Sequence, residues 1–290
     1  MKFRAHETFT LRKGWLHKAI KNIEKNPRLF SDKNINPMDE LGVGSNMVKA
    51  IRYWIQATGV AEEIVSSSRS MKLTPIGELI WEYDAYFEED ETWFLLHYLL
   101  ASNKDYATTW YYMFNEYTSH DISREDFNYF INTYLLQEQV EQLPSDRVLK
   151  DDFDCFIKTY YDSKEQTDPE SNFICPFTEL GLIKKNEEKV FVKSTPKKNA
   201  IHPLIILAVI INESSKSENA KEIPLSDLEQ AKCNIGKIFN LDTISISEYL
   251  DRLQSAEYIK VVRTAGLDYL QIKTDLTFYD CIEKCYQAIK

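Results

Sequence analysis

Three residues near the start of the chain have the side-chain types that phosphoryl chemistry on nucleic acid requires. His6 and Glu7 begin the segment HETFTLRKGW, and Arg12 lies within it. A histidine or a carboxylate beside a phosphate can move a proton or hold a metal ion, and an arginine can hold the phosphate itself. The segment is not a zinc-protease HExxH motif, because Thr10 stands where that motif has its second histidine. His6 and Glu7 are therefore candidate catalytic residues.

The same segment has a purely structural interpretation. Phe3, Phe9 and Trp15 would lie in the core of the first domain, and Glu7 would pair with Arg12. The segment would then close the domain without taking part in chemistry. The residues alone leave both interpretations open.

A helix predicted over residues 45–58 has two unlike faces. Its apolar residues recur at helical spacing and predict the buried side: Met47, Val48, Ile51, Trp54 and Ile55. Lysine and arginine on the opposite side would contact phosphates, and arginine and glutamine can also reach base edges. The candidate DNA-binding residues are Arg12, Lys18, Ser45, Asn46, Lys49, Arg52 and Gln56. An ordinary core helix with a solvated charged face is the alternative.

The order of elements around this helix is that of a winged helix. A short helix ends in Gly42-Val43-Gly44, and the helix over 45–58 follows, which together make a helix-turn-helix. Residues 61–73 hold two short apolar stretches around a serine-rich turn, a pattern typical of a hairpin. Thr74 and Pro75 then predict the capped start of another helix. We expect a winged-helix DNA-binding domain over residues 1–85, although such domains also serve protein contacts.

Charge is distributed unevenly along the chain. The whole chain has a formal net charge of −10, which argues against a simple nucleic-acid coat protein. Residues 1–75 contain 13 lysines and arginines against 7 aspartates and glutamates, so this part is +6 and the remainder is −16. A basic lobe on an acidic body fits local contact with a polyanion.

The remaining sequence predicts a mostly α protein with winged-helix-like units at both ends and a central helical bundle. Residues 86–200 would form the middle region. Its helix ETWFLLHYLLAS is apolar nearly all round and includes His97, which we expect to be a core histidine with one hydrogen-bond partner. A polar loop is predicted at 163–172.

Residues 201–290 predict a second winged-helix-like domain. A buried helix would begin at Pro203, one helix would cover LSDLEQAKCNIGKIFNLD, and Ser247 would cap the next. Thr264-Ala265-Gly266-Leu267 is a hairpin signal. The candidate basic contacts of this domain are Arg252, Lys260 and Arg263, and their acidic surroundings favour protein contact over DNA contact.

Composition indicates a cytoplasmic protein. No apolar run reaches the ~18 residues that a membrane helix needs, and the start MKFRAHETF lacks the apolar core of a signal peptide. The five cysteines include no CxxC pair, and an odd number suits a reducing compartment. We therefore expect no membrane partner.

Several segments together resemble one known family, in order along nearly the full length of the chain. They are HETFTLRKGWLHK (6–18), LGVGSNMVKAIRYW (41–54), WFLLHYLLASN (93–103), TTWYYMFNEY (108–117) and CPFTELGLI (175–183). They look like the domain-of-unknown-function family 4007, whose best-known relatives are SspB-like proteins. Two positions depart from the family pattern: Thr10 stands where proline is usual, and Ser45 stands where lysine is frequent. The second departure removes one basic group from the proposed DNA-facing helix.

The resemblance implies a bacterial protein that acts on DNA in phosphorothioation or phage-defence loci. SspB-like relatives are encoded beside cysteine desulfurases and PAPS-reductase-like enzymes, so the expected partners are DNA, a cysteine desulfurase, an ATPase and a PAPS-reductase-like protein. For such relatives it implies nicking of the strand so that sulfur can enter the backbone, with Mg²⁺ or Mn²⁺ as the candidate cofactor. The alternative is a non-enzymatic adaptor or regulator that binds DNA and recruits partner enzymes.

Overall fold

The chain was analysed as a computed structural model that describes residues 1–66, 68–162, 174–216, 221–264 and 267–290. It is mostly helical, as the sequence predicts. The described residues cluster into two compact units: unit 1 is 1–113 with 117–193, and unit 2 is 114–116 with 194–290. The predicted division into domains 1–85, 86–200 and 201–290 stays a prediction.

The first elements of unit 1 are helices followed by a hairpin. In chain order they are α1 (Trp15–Lys25), α2 (Pro37–Leu41), α3 (Ser45–Ala57), β1 (Ala61–Val65), β2 (Arg69–Leu73) and α4 (Pro75–Tyr83). The apolar residues of α1 are buried, and Asn36 caps α2 by accepting a hydrogen bond from the Met38 amide. Gly42 ends α2 in the left-handed region at φ 64°, where glycine is unstrained.

The hairpin joins α3 to α4. β1 and β2 pair antiparallel, with Ala61 opposite Leu73. The predicted serine turn includes Ser67, which lies outside the described residues. Thr74 caps α4 as predicted, by accepting a hydrogen bond from the Gly77 amide at 3.1 Å. A Cβ atom at Gly77 would lie 2.0 Å from the Val60 carbonyl oxygen, so glycine lets α4 approach the start of the hairpin.

The rest of unit 1 supplies its central core. Its elements are α5 (Asp90–Ala101), most of α6 (Thr108–Asn115), β3 (Asp121–Ile122), α7 (Arg124–Gln137), α8 (Asp146–Tyr160), a 3₁₀ helix (Pro176–Leu180), β4 (Ile183–Lys185) and β5 (Phe191–Lys193). α5 is buried almost all round, and His97 Nδ1 lies 2.8 Å from the Tyr160 hydroxyl, so the predicted core histidine is confirmed. The predicted loop at 163–172 lies outside the described residues.

Unit 2 has its own helices and a three-stranded sheet. Its elements are α9 (Pro203–Ser214), β6 (Glu222–Pro224), α10 (Leu225–Gln230), α11 (Ile235–Phe239), α12 (Thr243–Ser255), β7 (Ile259–Thr264), β8 (Leu267–Ile272) and α13 (Phe278–Ile289). The strand order is β6-β8-β7, with both pairs antiparallel. α9 begins at Pro203 as predicted. At the predicted hairpin turn, Ala265 and Gly266 lie outside the described residues.

Two helix predictions in unit 2 are wrong. The single helix from Leu225 is divided, because Cys233 takes a left-handed φ of 62° and the Asn234 side chain then caps α11. The next helix is capped by Asp242 rather than Ser247, since the Asp242 carboxylate accepts a hydrogen bond from the Ser245 amide at 2.8 Å. Aspartate immediately before the helix supplies that cap five residues earlier than predicted.

Candidate nucleic-acid interface

The core of unit 1 fixes the orientation of α3. Trp54 is fully buried, and its indole Nε1 donates a hydrogen bond to the Phe9 carbonyl oxygen at 2.9 Å. Ile51 and Ile55 are also fully buried, which confirms that part of the predicted apolar face, while Met47 and Val48 are half-buried. The opposite face of α3 is therefore held toward solvent.

The first turn of α3 offers polar groups to solvent. Ser45, Asn46 and Lys49 are exposed. Gly44 precedes the helix in an extended conformation, and among the described residues no side chain caps this end of α3. Helix N-termini carry unpaired amides and a partial positive charge, so phosphate groups bind there readily. This end combines free amides, small polar groups and a lysine.

The second part of the polar face is tied to the hairpin. Arg52 forms an ion pair with Glu63 of β1, and its side chain is 31% exposed. Gln56 is half-buried, and its amide donates to the Arg52 carbonyl oxygen at 2.7 Å. Arg52 thus holds α3 to the hairpin, whereas the Gln56 side chain bonds to the backbone of its own helix. Their proposed DNA contacts would require part of this bracing to be exchanged for phosphate.

Arg12 and Lys18 lie in different environments. The Arg12 guanidinium lies over the rings of Phe9 and Trp15, 5.5 and 5.3 Å from their centroids. Burial lowers the pKa of Arg12 from its ordinary value, and an arginine keeps its charge even so. Lys18 is exposed on α1, with Nζ 3.4 Å from the Leu41 carbonyl oxygen. Lys18 is thus the more accessible of the two cations.

Glu7 lies at the surface beside α3. Lys49 Nζ is 3.5 Å from Glu7 Oε1, with the Lys49 side chain 62% exposed and that of Glu7 35% exposed. Glu7 and Thr8 both take left-handed φ angles, 50° and 66°. Non-glycine residues in this region are uncommon and need support from their surroundings. The tight turn brings the Glu7 carboxylate to the polar face of α3.

His6 lies in the interior, one residue from Glu7. Its side chain is 1% exposed, and Nε2 lies 2.6 Å from Asp152 Oδ1. Nδ1 accepts a hydrogen bond from the Thr8 amide at 3.0 Å, so the proton of a neutral ring lies on Nε2 and is donated to Asp152. This arrangement supports the strained turn. It favours a structural role for His6, and a catalytic role stays a prediction.

Asp152 is the centre of this buried network. Besides His6, its carboxylate accepts hydrogen bonds from the Arg4 amide at 2.7 Å and the Thr109 hydroxyl at 2.8 Å. Three donors satisfy a carboxylate that would otherwise be costly to bury. Burial, and then the charge of Asp152, raise the pKa of Tyr53 well above its ordinary value. The network anchors the start of the chain to α6 and α8.

The buried position of Asp152 could be predicted from the sequence, but its partner could not. Asp152 falls at helical spacing among Leu149, Phe153 and Phe156, all of which are buried. A carboxylate on an apolar stripe indicates a buried acid that needs partners. Its partner His6 is separated from it by 146 residues, so the pairing could not be read from spacing.

Metal-ligating residues are not clustered in the part of the chain that the structure describes. No group of three or more His, Cys, Asp or Glu side chains there could hold a metal ion. Asp152 already accepts three hydrogen bonds, and Glu7 is a single surface carboxylate. The residues do not form a protein cage for Mg²⁺, which is commonly bound by one or two carboxylates together with phosphates and water. A divalent ion held at Glu7 would therefore need phosphate oxygens and water as its other ligands.

Two further findings concern membrane-spanning helices and the state of the cysteine thiols. Among the described residues, no helix has both the length and the apolar character needed to cross a membrane. All five cysteines are free thiols: Cys155, Cys175, Cys281 and Cys285 are buried, and Cys233 is half-buried. Burial raises the pKa of Cys175 to about 12, which keeps that thiol protonated.

Comparison with known proteins identifies one family and one fold. The family model described as protein of unknown function DUF4007 matches residues 3–286. A magnesium ion-bound SspB crystal structure is similar with a TM-score of 0.87 and 26% sequence identity, covering 99% of this chain and 88% of that chain. Another SspB crystal structure has a TM-score of 0.86 at 24% identity with the same coverage, which shows the fold alone. No curated protein matches.

Proposed function

Because the chain belongs to the DUF4007 family, we propose that it is the DNA-binding component of a bacterial DNA phosphorothioation or phage-defence system. The likeness to SspB structures supports this assignment. The observation that carries the DNA-binding part is α3, whose exposed first turn is uncapped while its opposite face is anchored in the core. The expected compartment is the cytoplasm, where bacterial DNA lies.

We further propose that both ends of the chain are winged-helix-like. At the start, α2, a glycine turn, α3 and the β1–β2 hairpin follow one another in the required order. The Met71 amide also donates to the Pro27 carbonyl oxygen at 2.7 Å, which holds the turn after α1 beside the hairpin. In unit 2, a short strand pairs with the hairpin in the order β6-β8-β7, and α12 precedes that hairpin.

The contacts divide into two groups by exposure. Ser45, Asn46, Lys49 and Lys18 are exposed, and we assign them the direct phosphate contacts. Arg12, Arg52 and Gln56 are half-buried, and we assign them a supporting role at the edge of the DNA surface. Lysine contacts of this kind set the position and strength of binding without selecting a sequence.

Metal-dependent nicking is the proposed activity within this function, with Mg²⁺ or Mn²⁺ as cofactor. The Glu7 carboxylate is the acidic group closest to Lys49, so it would lie near a phosphate bound there. His6 would act on Glu7 indirectly, by fixing the turn through Asp152. The divalent ion would supply Lewis-acid activation of the phosphate.

A non-enzymatic adaptor is the second candidate function. It is favoured by the lack of a metal-ligating cluster among the described residues and by the acidic charge of the chain after residue 75. In that case the basic surface would dock DNA, and the acidic body would recruit the cysteine desulfurase, the ATPase or the PAPS-reductase-like protein. DNA binding is common to both candidates.

Nicking of supercoiled plasmid separates enzyme from adaptor. The enzyme proposal predicts open-circular product with Mg²⁺ or Mn²⁺, and its loss in Glu7→Gln while duplex affinity stays within about threefold. Glu62→Gln, on β1, is the matched control and should nick like wild type. Full nicking by Glu7→Gln would return Glu7 to a structural role. No nicking by wild type, with partner proteins also supplied, would favour the adaptor.

A further inference from the structure

A groove in unit 2 brings together cations from separate parts of the sequence. The loop 195–199 lies along one side of α12 and leaves a groove of about 230 Å³. Three of the lining side chains are cationic, namely Lys197, Lys198 and Arg252, against one carboxylate, Glu248. This cluster of cations could not be predicted from the sequence, because 50 positions separate Lys198 from Glu248 of α12.

The charged groups leave the groove with a positive surplus. Lys198 Nζ is 2.6 Å from Glu248 Oε1, so this lysine and the carboxylate offset each other. Arg252 donates a hydrogen bond to Asn199 Oδ1 at 3.1 Å, and its guanidinium lies 5.9 Å from the Tyr249 ring centroid. Asn199 and the ring therefore orient the guanidinium while it remains exposed. Lys197 is exposed at the rim.

The groove is built on a fixed loop. The Thr195 hydroxyl donates to the Asn240 carbonyl oxygen at 2.8 Å, and the Asn240 amide donates to the Ser194 carbonyl oxygen at 3.2 Å. Further along, the Ile201 amide donates to the buried Tyr249 hydroxyl at 3.3 Å. A ligand would therefore meet cations already held in position, which lowers the entropy lost on binding.

We propose that this groove is a second DNA-contacting surface, which binds phosphate oxygens of the duplex backbone. The inference rests on the proposed DNA-binding function and extends it to unit 2. α12 follows a short helix and a turn and precedes a hairpin, the order in which DNA-binding helices occur. Lys260 and Arg263 are exposed on β7, the first strand of that hairpin. The sequence predicted protein contact for Arg252, Lys260 and Arg263 because of their acidic surroundings, but the fold adds Lys197 and Lys198 beside Arg252, so that cations exceed carboxylates in the groove lining and favour a DNA backbone there.

Salt dependence of duplex binding by the full-length chain tests the proposal. Each phosphate contact contributes about 0.9 to the slope of log K against log salt concentration. Lys197→Ala with Lys198→Ala should therefore lower the slope by about 1 to 2 in fluorescence anisotropy, because Lys197 contributes a full contact and Lys198, paired with Glu248, contributes a smaller one. Lys216→Ala with Lys284→Ala removes two exposed lysines of unit 2 outside the groove, and should leave the slope unchanged.

A substitution that is expected to tighten duplex binding distinguishes an effect of charge from an effect of structure. Glu248→Gln removes the carboxylate that lines the groove among the described residues and frees Lys198, so it should tighten duplex binding by about threefold at low salt. A merely structural role for the groove would give no gain in affinity. Wild-type binding with unchanged slope in the lysine variant and no gain in Glu248→Gln would overturn the proposal while leaving the proposed function intact.

Two other results would also overturn the assignment of this groove to DNA. Failure of wild type to bind any duplex would overturn the proposed function and this inference together. Unchanged duplex binding by the lysine variant, with weakened binding of a poly-glutamate peptide, would overturn the DNA assignment and make the groove a site for an acidic protein segment.

Discussion

α3 in unit 1 and α12 in unit 2 are alike in their surroundings but differ at their first turn. Each follows a short helix that ends in a left-handed residue, Gly42 at φ 64° and Asn240 at φ 50°, and each precedes an antiparallel hairpin. Gly44 leaves the amides of α3 uncapped, whereas the Asp242 carboxylate caps α12. An anion can approach the end of α3, but at α12 a carboxylate already occupies that position.

The helices α3 and α12 therefore present phosphate-binding groups in different ways, although their neighbouring elements are similar. In α3 the free amides and Lys49 lie at the helix start. In α12 the cations lie along one side, where Arg252 faces the groove with Lys197 and Lys198. The order of elements alone would have assigned both helices the same contacts, and the capping residue distinguishes them.

The largest expected effect is on the anchoring of α3. Trp54→Ala should lower the free energy of unfolding by about 3–5 kcal/mol, because a fully buried indole leaves a cavity and a lost hydrogen bond to Phe9. Urea denaturation measures this change. On α12, Tyr249→Phe keeps the ring and removes one hydrogen-bond acceptor, so it should cost only about 1 kcal/mol. A Trp54→Ala protein with wild-type stability would mean that Trp54 does not anchor α3.

Capping α3 artificially should make it resemble α12. A Cβ atom at Gly44 would have no neighbour within 4 Å, so Gly44→Asp is tolerated sterically. The new carboxylate should stabilise the fold by a few tenths of a kcal/mol. It should also weaken duplex binding on the order of tenfold by repelling phosphate. Gly44→Ser adds a cap without charge and is the control, and undiminished affinity in the aspartate variant would exclude this helix end from the DNA surface.

Asp242, the N-cap of α12, should make the free energy of unfolding depend on pH. Hydrogen bonds from Ser245 lower the pKa of Asp242 below its ordinary value. A carboxyl whose pKa is lower in the folded state stabilises the protein above its unfolded pKa, and this stabilisation is lost as pH falls through the folded pKa. Asp242→Ala should cost about 1 kcal/mol at pH 7 and less at pH 3. An equal cost at both pH values, measured by urea denaturation, would show that the charge is irrelevant to the cap.

Local patterns predicted much of the fold, and long-range pairs limited the prediction of the site. Apolar periodicity placed Trp54 in the core, and threonine before proline located the start of α4. The ion pair between Arg52 and Glu63 depends on how the hairpin packs on α3, so the helix sequence alone made Arg52 look free. His6 and Asp152 meet only after the chain folds.

The same reasoning explains the errors in unit 2. Apolar spacing continued across Cys233 and Asn234, so it predicted one helix, although asparagine is a strong capping residue. Capping chemistry was therefore the decisive signal both for the break before α11 and for the start of α12 at Asp242.

The exposed first turn of α3 is the proposed DNA contact. The decisive experiment is fluorescence anisotropy of a labelled duplex at several salt concentrations, with Lys49→Ala compared against Arg52→Ala. Lys49 is 62% exposed and its surface pair with Glu7 is long at 3.5 Å, so its removal should lower the log–log salt slope by about 1. Arg52 is only 31% exposed and is held by Glu63, so its removal should change the slope by less. Lys150→Ala, an exposed lysine on α8, is the control and should keep the wild-type slope. A wild-type slope in Lys49→Ala would contradict the claim.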